Sequence, residues 1–316
     1  MKNFKEETDE FQKKEKKQKN NSFINFDMKL KINMHKDLVL CLTLLKDGRM
    51  ASGSSDESII IYNIITFKPE LIIKEHNSSV FCLTQLSSGI LATCSSDRTI
   101  KFFNINGNKY KLLQTLKNHT NWVYKIIELK NKQLLSCSDD YTINIYSKDN
   151  DNKYKMDYKI ETSGRCTSVI QTKDNEIYFS ESTDIVCFYD LIEKKKKTLC
   201  ISNTDGCCSN LLMINKDLLL IGGLYVISIL NVNQHNLIRE INSSDSGYIS
   251  SICLFNDNTI LTGDNSGIIK QWKIEGDNLI FISKKKGAHN KNIYSLLNLG
   301  DGHIASCSGD STIKIW

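Results

Sequence analysis

Residues His289 to Trp316 read H-N-K-N-I-Y-S-L-L-N-L-G-D-G-H-I-A-S-C-S-G-D-S-T-I-K-I-W, and the remaining chain is measured against them. Short runs of alternating apolar residues, Ile293 to Leu299, His303 to Ser308 and Ser311 to Trp316, are broken by Gly-Asp-Gly and Ser-Gly-Asp. That is the pattern of three short antiparallel strands with tight turns. A histidine opens the unit, an aspartate follows 21 residues later, and an aromatic closes it 27 residues after the histidine. The same two separations recur in His35/Asp56/Tyr62, His76/Asp97/Phe103 and His119/Asp140/Tyr146.

Taking the closing residue of each unit gives Tyr62, Phe103, Tyr146, Tyr189, Leu230, Trp272 and Trp316, spaced by 41 to 44 residues. Between a closing residue and the next opening lies a further short strand, as in Glu70 to Lys74, Tyr110 to Gln114, Lys197 to Ile201, Asn236 to Glu240 and Asn278 to Ile282. Four strands at this period predict the blade of a propeller. Upstream, Met28, Leu30, Ile32 and Met34 alternate with Lys29, Lys31 and Asn33, which predicts a strand within Phe23 to Met34 with those four apolar residues buried.

The chain resembles a WD40-repeat β-propeller over residues 23–316. The resemblance is carried by S-G-S-S-D-E-S-I-I-I-Y-N (52–63), T-C-S-S-D-R-T-I-K-F-F-N (93–104), S-C-S-D-D-Y-T-I-N-I-Y-S (136–147) and S-C-S-G-D-S-T-I-K-I-W (306–316). It implies an all-β, seven-bladed ring. The chain ends on the third strand of its last blade, so the N-terminal strand is expected to complete that blade and close the ring. The resemblance also implies a hydrogen-bonded set of His, Ser/Thr, Asp and Trp in each well-kept blade. The last blade offers all four, His289, Ser306, Asp310 and Trp316. Three others offer His35/Ser52/Asp56, His76/Thr93/Asp97 and His119/Ser136/Asp140 but close on Tyr62, Phe103 and Tyr146, so their networks are expected to be one bond shorter.

Repeats four to six depart from the template. Gly164-Arg165, Gly206-Cys207 and Gly247-Tyr248 stand where the histidine would, and Thr183 or Asp184, Leu224 and Ser266 stand in the aspartate slot. Either these repeats have drifted, or this arc faces a partner.

Residues 1–22 carry seven Lys against five Asp or Glu and only Phe4 and Phe11 to bury, and read as a disordered tail or a frayed helix. The formal net charge of +5 is modest and arginine is confined to Arg49, Arg98, Arg165 and Arg239, which argues against a nucleic-acid partner. The apolar runs fall short of the roughly 18 to 20 residues needed to cross a bilayer. The expectation is a soluble protein of the cytoplasm, with the nucleus open as an alternative. Cys94, Cys137 and Cys307 each precede their aspartate by three residues, and Cys41 and Cys82 each follow their histidine by six. A shared repeat position implies a shared packing role, that of a small buried hydrophobe. The lysines at 194–197 and 284–286 read as solvated loops.

A Ser-His-Asp set recurring in four blades reports architecture, and no G-x-S-x-G accompanies it. The expectation is no catalytic residues, no metal and no cofactor. Four of the six histidines already hold blade positions. The resemblance implies binding of peptides or proteins by loops on one face of the ring. Those loops contain Trp122, Arg98, Tyr141 and Arg165, the candidate partner-binding patch, since aromatic and Arg residues dominate hot spots. The expected function is a non-enzymatic scaffold or adaptor subunit. The alternative is the substrate-recognition subunit of a ubiquitin ligase, which 22 N-terminal residues leave no room to equip with an F-box. A phosphoinositide-binding propeller would carry F-R-R-G, absent here, and a propeller hydrolase has no assembled site in the sequence.

Overall fold

The computed structural model describes residues 24–181, 185–200, 210–243 and 247–316. Within them are seven four-stranded antiparallel sheets. Blade 1 runs from its inner strand Val39–Leu44 to its outer strand Pro69–Ile73, blade 2 from Val80–Gln85 to Lys109–Leu116, and blade 3 from Val123–Glu128 to Tyr154–Glu161. Blade 4 runs from Val169–Lys173 to Lys195–Cys200, blade 5 from Asn210–Met213 to Asn236–Asn242, and blade 6 from Ile249–Asn256 to Asn278–Lys285. Blade 7 takes Ile293–Asn298, Ile304–Ser308 and Ile313–Ile315 from the end of the chain and Leu30–Ile32 from its start. The ring is therefore closed by the N-terminal strand, in the register Leu30↔Ile315, Lys31↔Lys314 and Ile32↔Ile313.

The core lies between blades rather than within them. Seven apolar clusters each straddle two neighbours, as where Ile32, Ala305 and Ile313 of blade 7 meet Val39, Leu42 and Met50 of blade 1. The repeat position is what fixes this packing. Cys94, Cys137 and Cys307 are fully buried, and blade 1 has Gly53 at the same place. There a Cβ would come within 2.8 Å of Val80 on the next blade. Cys41, Cys94, Cys137 and Cys307 are thus small core residues, as their spacing implies, whereas Cys82 is only partly buried.

A register shift recurs at the start of the inner strand, between Val39/Cys41, Val80/Cys82, Val123/Lys125, Ile249/Ser251 and Ile293/Ser295. Another recurs at the closing residue, at Tyr62, Phe103, Tyr146, Leu230 and Trp272. Bulges of this kind add local twist, which a blade needs to fan outward from a common axis.

Several expectations need correcting. In the closing strand Ile32 is buried, but Met28, Leu30 and Met34 are exposed. An outermost strand packs against a neighbouring blade only along its inner part, so alternation there does not bury one whole face. The anchoring is done upstream by Ile24 and Phe26, which are buried in one cluster with Trp316. Lys195 to Lys197 lie on the outer strand of blade 4, not in a turn, and Lys284 and Lys285 end the outer strand of blade 6. In blade 5 the turn after Leu218–Gly222 is one residue short, since Gly222 pairs with Ile227 where Gly53 pairs with Ile59. Leu224 therefore does not fill an aspartate slot, because that slot is missing. Residues 1–22, Phe23, Thr183, Asp184, Gly206 and Cys207 lie outside the described residues.

Candidate functional site: the blade networks and the channel mouth

In four blades the histidine joins the turn to the strands. His35, His76, His119 and His289 place Nδ1 at 2.9, 2.7, 2.8 and 2.9 Å from an Oδ2 of Asp56, Asp97, Asp140 and Asp310. Their Nε2 atoms lie 2.6 to 2.7 Å from the hydroxyls of Ser52, Thr93, Ser136 and Ser306. A carboxylate only accepts, so Nδ1 carries the proton and Nε2 accepts from the hydroxyl. The second carboxylate oxygen accepts from the hydroxyl of Ser58, Thr99, Thr142 and Thr312. Burial alone would raise these carboxyls; the bonds from imidazole, hydroxyl and backbone N–H outweigh it and hold Asp56, Asp97, Asp140 and Asp310 below the usual carboxylate range. Burial also pushes the His289 imidazole down, against the pull of Asp310.

In blade 7 Trp316 Nε1 donates to Ser306 Oγ at 2.8 Å, completing the set of four. Blade 3 departs from expectation: the Tyr146 hydroxyl lies 3.3 Å from Ser136 Oγ and makes the bond that a tyrosine was expected to forfeit. Tyr62, buried beside Ser52 in blade 1, makes none. Blade 6 keeps the far half of the network, with Trp272 Nε1 donating to Thr262 Oγ1 at 3.0 Å. Gly247, with φ of 144°, does not stand where the histidine would: two residues before the inner strand, it matches Lys291 of blade 7, and the histidine position falls on residue 245, outside the described residues. In blade 4 Glu181 is buried at the turn and is bound by Lys196 Nζ at 2.7 Å and by the Cys187 thiol at 2.9 Å. Burial, reinforced by Glu181, pushes that thiol up to about 12. None of the triad hydroxyls Ser52, Thr93, Ser136 and Ser306 has exposed surface. Among the described residues, no group of three or more His, Cys, Asp or Glu side chains is placed to hold a metal ion.

A family model described as WD domain, G-beta repeat matches residues 28–63, 67–104, 110–147 and 282–316, the stretches that carry the four complete His-hydroxyl-Asp sets. The chain carries WD40 repeats within a seven-bladed propeller. A solved structure described as "Structure of U3-55K" is similar to this WD40 propeller with a TM-score of 0.79 and 15% identity, over 90% of this chain and 97% of that one. At that identity the likeness shows the fold. A search of curated proteins found no match.

The ring encloses a cavity of about 480 Å³ at its axis, lined from every blade and including Phe81, Tyr124, Arg165, Tyr248 and Tyr294. The sequence reading missed Phe81, Tyr124 and Tyr294. Their signal was available, because each lies five residues after the blade histidine, where the inner strand faces the axis. Trp122 is 46% exposed, and its ring lies 5.9 Å from Phe81 and 6.4 Å from Tyr124, which are themselves 5.1 Å apart. The Asp139 amide donates to the Trp122 carbonyl at 2.9 Å, and Arg165 Nε stands 3.6 Å from the Asp139 carboxylate. Trp122 and Arg165 are thus joined through Asp139 across the seam between blades 3 and 4. Arg98 lines a separate recess on blade 2. Tyr141, exposed on the blade 3 turn, has φ of 63°, as Glu57, Arg98 and Ser311 do at the same position with φ of 71°, 69° and 65°. The residue after each aspartate is held in the left-handed region by the turn and pushed outward with it.

Proposed function

We propose that this WD40 propeller is a non-enzymatic interaction scaffold or adaptor subunit of a multiprotein complex, which takes a segment of a partner protein across the mouth of its channel beside blades 2 to 4. The observation that carries this reading is Trp122. It is a large aromatic standing half out of the protein while packed on Phe81 and Tyr124, both of which line the axial cavity. An indole already held by two rings loses little freedom when a partner covers it, so its burial converts efficiently to affinity. Among the described residues, Lys125 and Arg165 are the charged side chains of the same lining, which contains no carboxylate.

The histidine networks support the same reading from the other side. Each hydroxyl is committed to an imidazole and sealed from solvent, so the sets that resemble a catalytic triad hold turns to strands. The test is affinity capture with the wild-type chain and with Trp122→Ala and Arg165→Ala. Loss of the same specific partners from both variants, with melting unchanged, is expected; full retention by both would refute the placement.

A further inference from the structure

Blade 2 carries a recess of about 390 Å³ lined by Arg98, Lys101 and Lys117 together with Asn77, Thr99 and Thr115. The topology assembles it. Lys101 and Thr115 are register partners on the two outer strands, and side chains two residues apart on a strand share a face, which brings Thr99 and Lys117 beside them. Arg98 reaches the same recess from the turn, where its φ of 69° swings it outward.

What sets the recess apart is the state of its cations. The position of Lys101, opposite the network hydroxyl, is also a lysine in blades 6 and 7, by the pairs Thr93↔Lys101, Thr262↔Lys270 and Ser306↔Lys314. There the ammonium is satisfied internally: Lys270 donates to the Ser243 carbonyl at 2.6 Å and Lys314 to the Ala288 carbonyl. Among the described residues Lys101 has no such acceptor, and neither Arg98 nor Lys117 has an ion pair or a side-chain hydrogen bond. The one carboxylate of the recess, Asp97, is spent on His76, Thr99 and the backbone amides of Asn77 and Thr99. Three cations face one internally saturated carboxylate, with the Thr115 hydroxyl and the Asn77 amide as further donors.

We propose that this recess binds a phosphate group, carried by a phosphoserine or phosphothreonine of the partner protein. Convergent charged donors on a single small hollow suit a compact oxyanion. A nucleic acid would need a stripe of such sites, which a chain of net charge +5 does not offer. The chain also passes from Lys117 through His119 to Trp122, so a peptide leaving the recess meets the aromatic rim. The inference deepens the scaffold reading and rests on it for the class of partner.

The experiment uses the full chain on an array of degenerate peptides with a fixed phosphoserine or phosphothreonine, beside the unphosphorylated array. The best peptides are then measured by fluorescence anisotropy against wild type and Lys101→Gln/Lys117→Gln, with folding of the variant checked by melting. Phosphorylation should tighten binding about tenfold or more in the wild type, and the preference should largely vanish in the variant. Equal binding of both peptide forms, or a preference that survives the double substitution, would overturn the proposal. So would tighter binding to phosphoinositide vesicles, to a single-stranded oligoribonucleotide or to inorganic phosphate than to the phosphopeptide. Trp122→Ala separates the two readings. If it weakens phosphorylated and plain peptides alike, the channel mouth contributes as proposed; if it changes neither while the phosphate preference persists, the recess stands and the channel-mouth reading fails.

Discussion

The backbone N–H of Lys29 donates to the carbonyl of Ile315 at 2.8 Å, joining the start of the described chain to the residue before its end. Around that bond Ile24 and Phe26 pack with Trp316, and Ile32 packs with Ile313 and Ile315. The closing strand is short, so these side chains hold it more than its ladder does.

Removing residues 1–34 should therefore destabilise the ring sharply, because three buried apolar side chains are lost at about 1.5 to 3 kcal/mol each and a sheet edge is opened. Removing residues 1–22 keeps all three. Thermal melting should show a drop of about 10 °C or more for the longer deletion and little change for the shorter. Equal behaviour of the two would remove the closure from the account.

Tyr62 and Tyr146 close their blades at equivalent positions, yet one hydroxyl is buried without a partner and the other meets Ser136. Tyr62→Phe should be neutral or stabilising, since it removes an unsatisfied polar group, whereas Tyr146→Phe should cost on the order of 1 kcal/mol. Trp316→Phe, which deletes the bond to Ser306, should cost at least as much. Urea melts of the three variants would read the order directly, and a Tyr62→Phe loss matching that of Tyr146→Phe would contradict it.

Stability should fall in two stages as pH is lowered. His289 is depressed below its ordinary 6.5, so the unfolded chain takes up its proton first, and stability is lost as pH falls below about 6.5 towards the folded value. The network carboxylates are depressed below 3.8, so their contribution is complete above that value and is lost as pH falls through the lower folded values. Melting temperature against pH tests this, and Asp310→Asn should flatten part of the acid limb. A profile rising from pH 7 to pH 5 would have the wrong sign.

The ring was legible because the residues that tie a turn to its strands must sit at fixed separations. His to hydroxyl is 17 residues and His to Asp is 21 in every complete blade. What could not be read depends on contacts across blades. Glu181 with Lys196 replaces the histidine tie by a pair with no resemblance to it, and the short blade 5 turn leaves no residue to misalign against. Trp122 was visible as an aromatic on a loop, but its role rests on Phe81 from the neighbouring blade. In sequence Lys101 is like any strand lysine; it is set apart by the internal acceptors that its counterparts Lys270 and Lys314 have and it lacks.

The central claim is that a partner covers the channel mouth between blades 2 and 4, and hydrogen exchange on the captured complex measures it most directly. The account predicts protection concentrated on the segments around Trp122, Asp139 and Arg165, with the outer strands of blades 5 and 6 unchanged. Protection confined to those outer strands, with the segment around Trp122 exchanging as in the free chain, would contradict it.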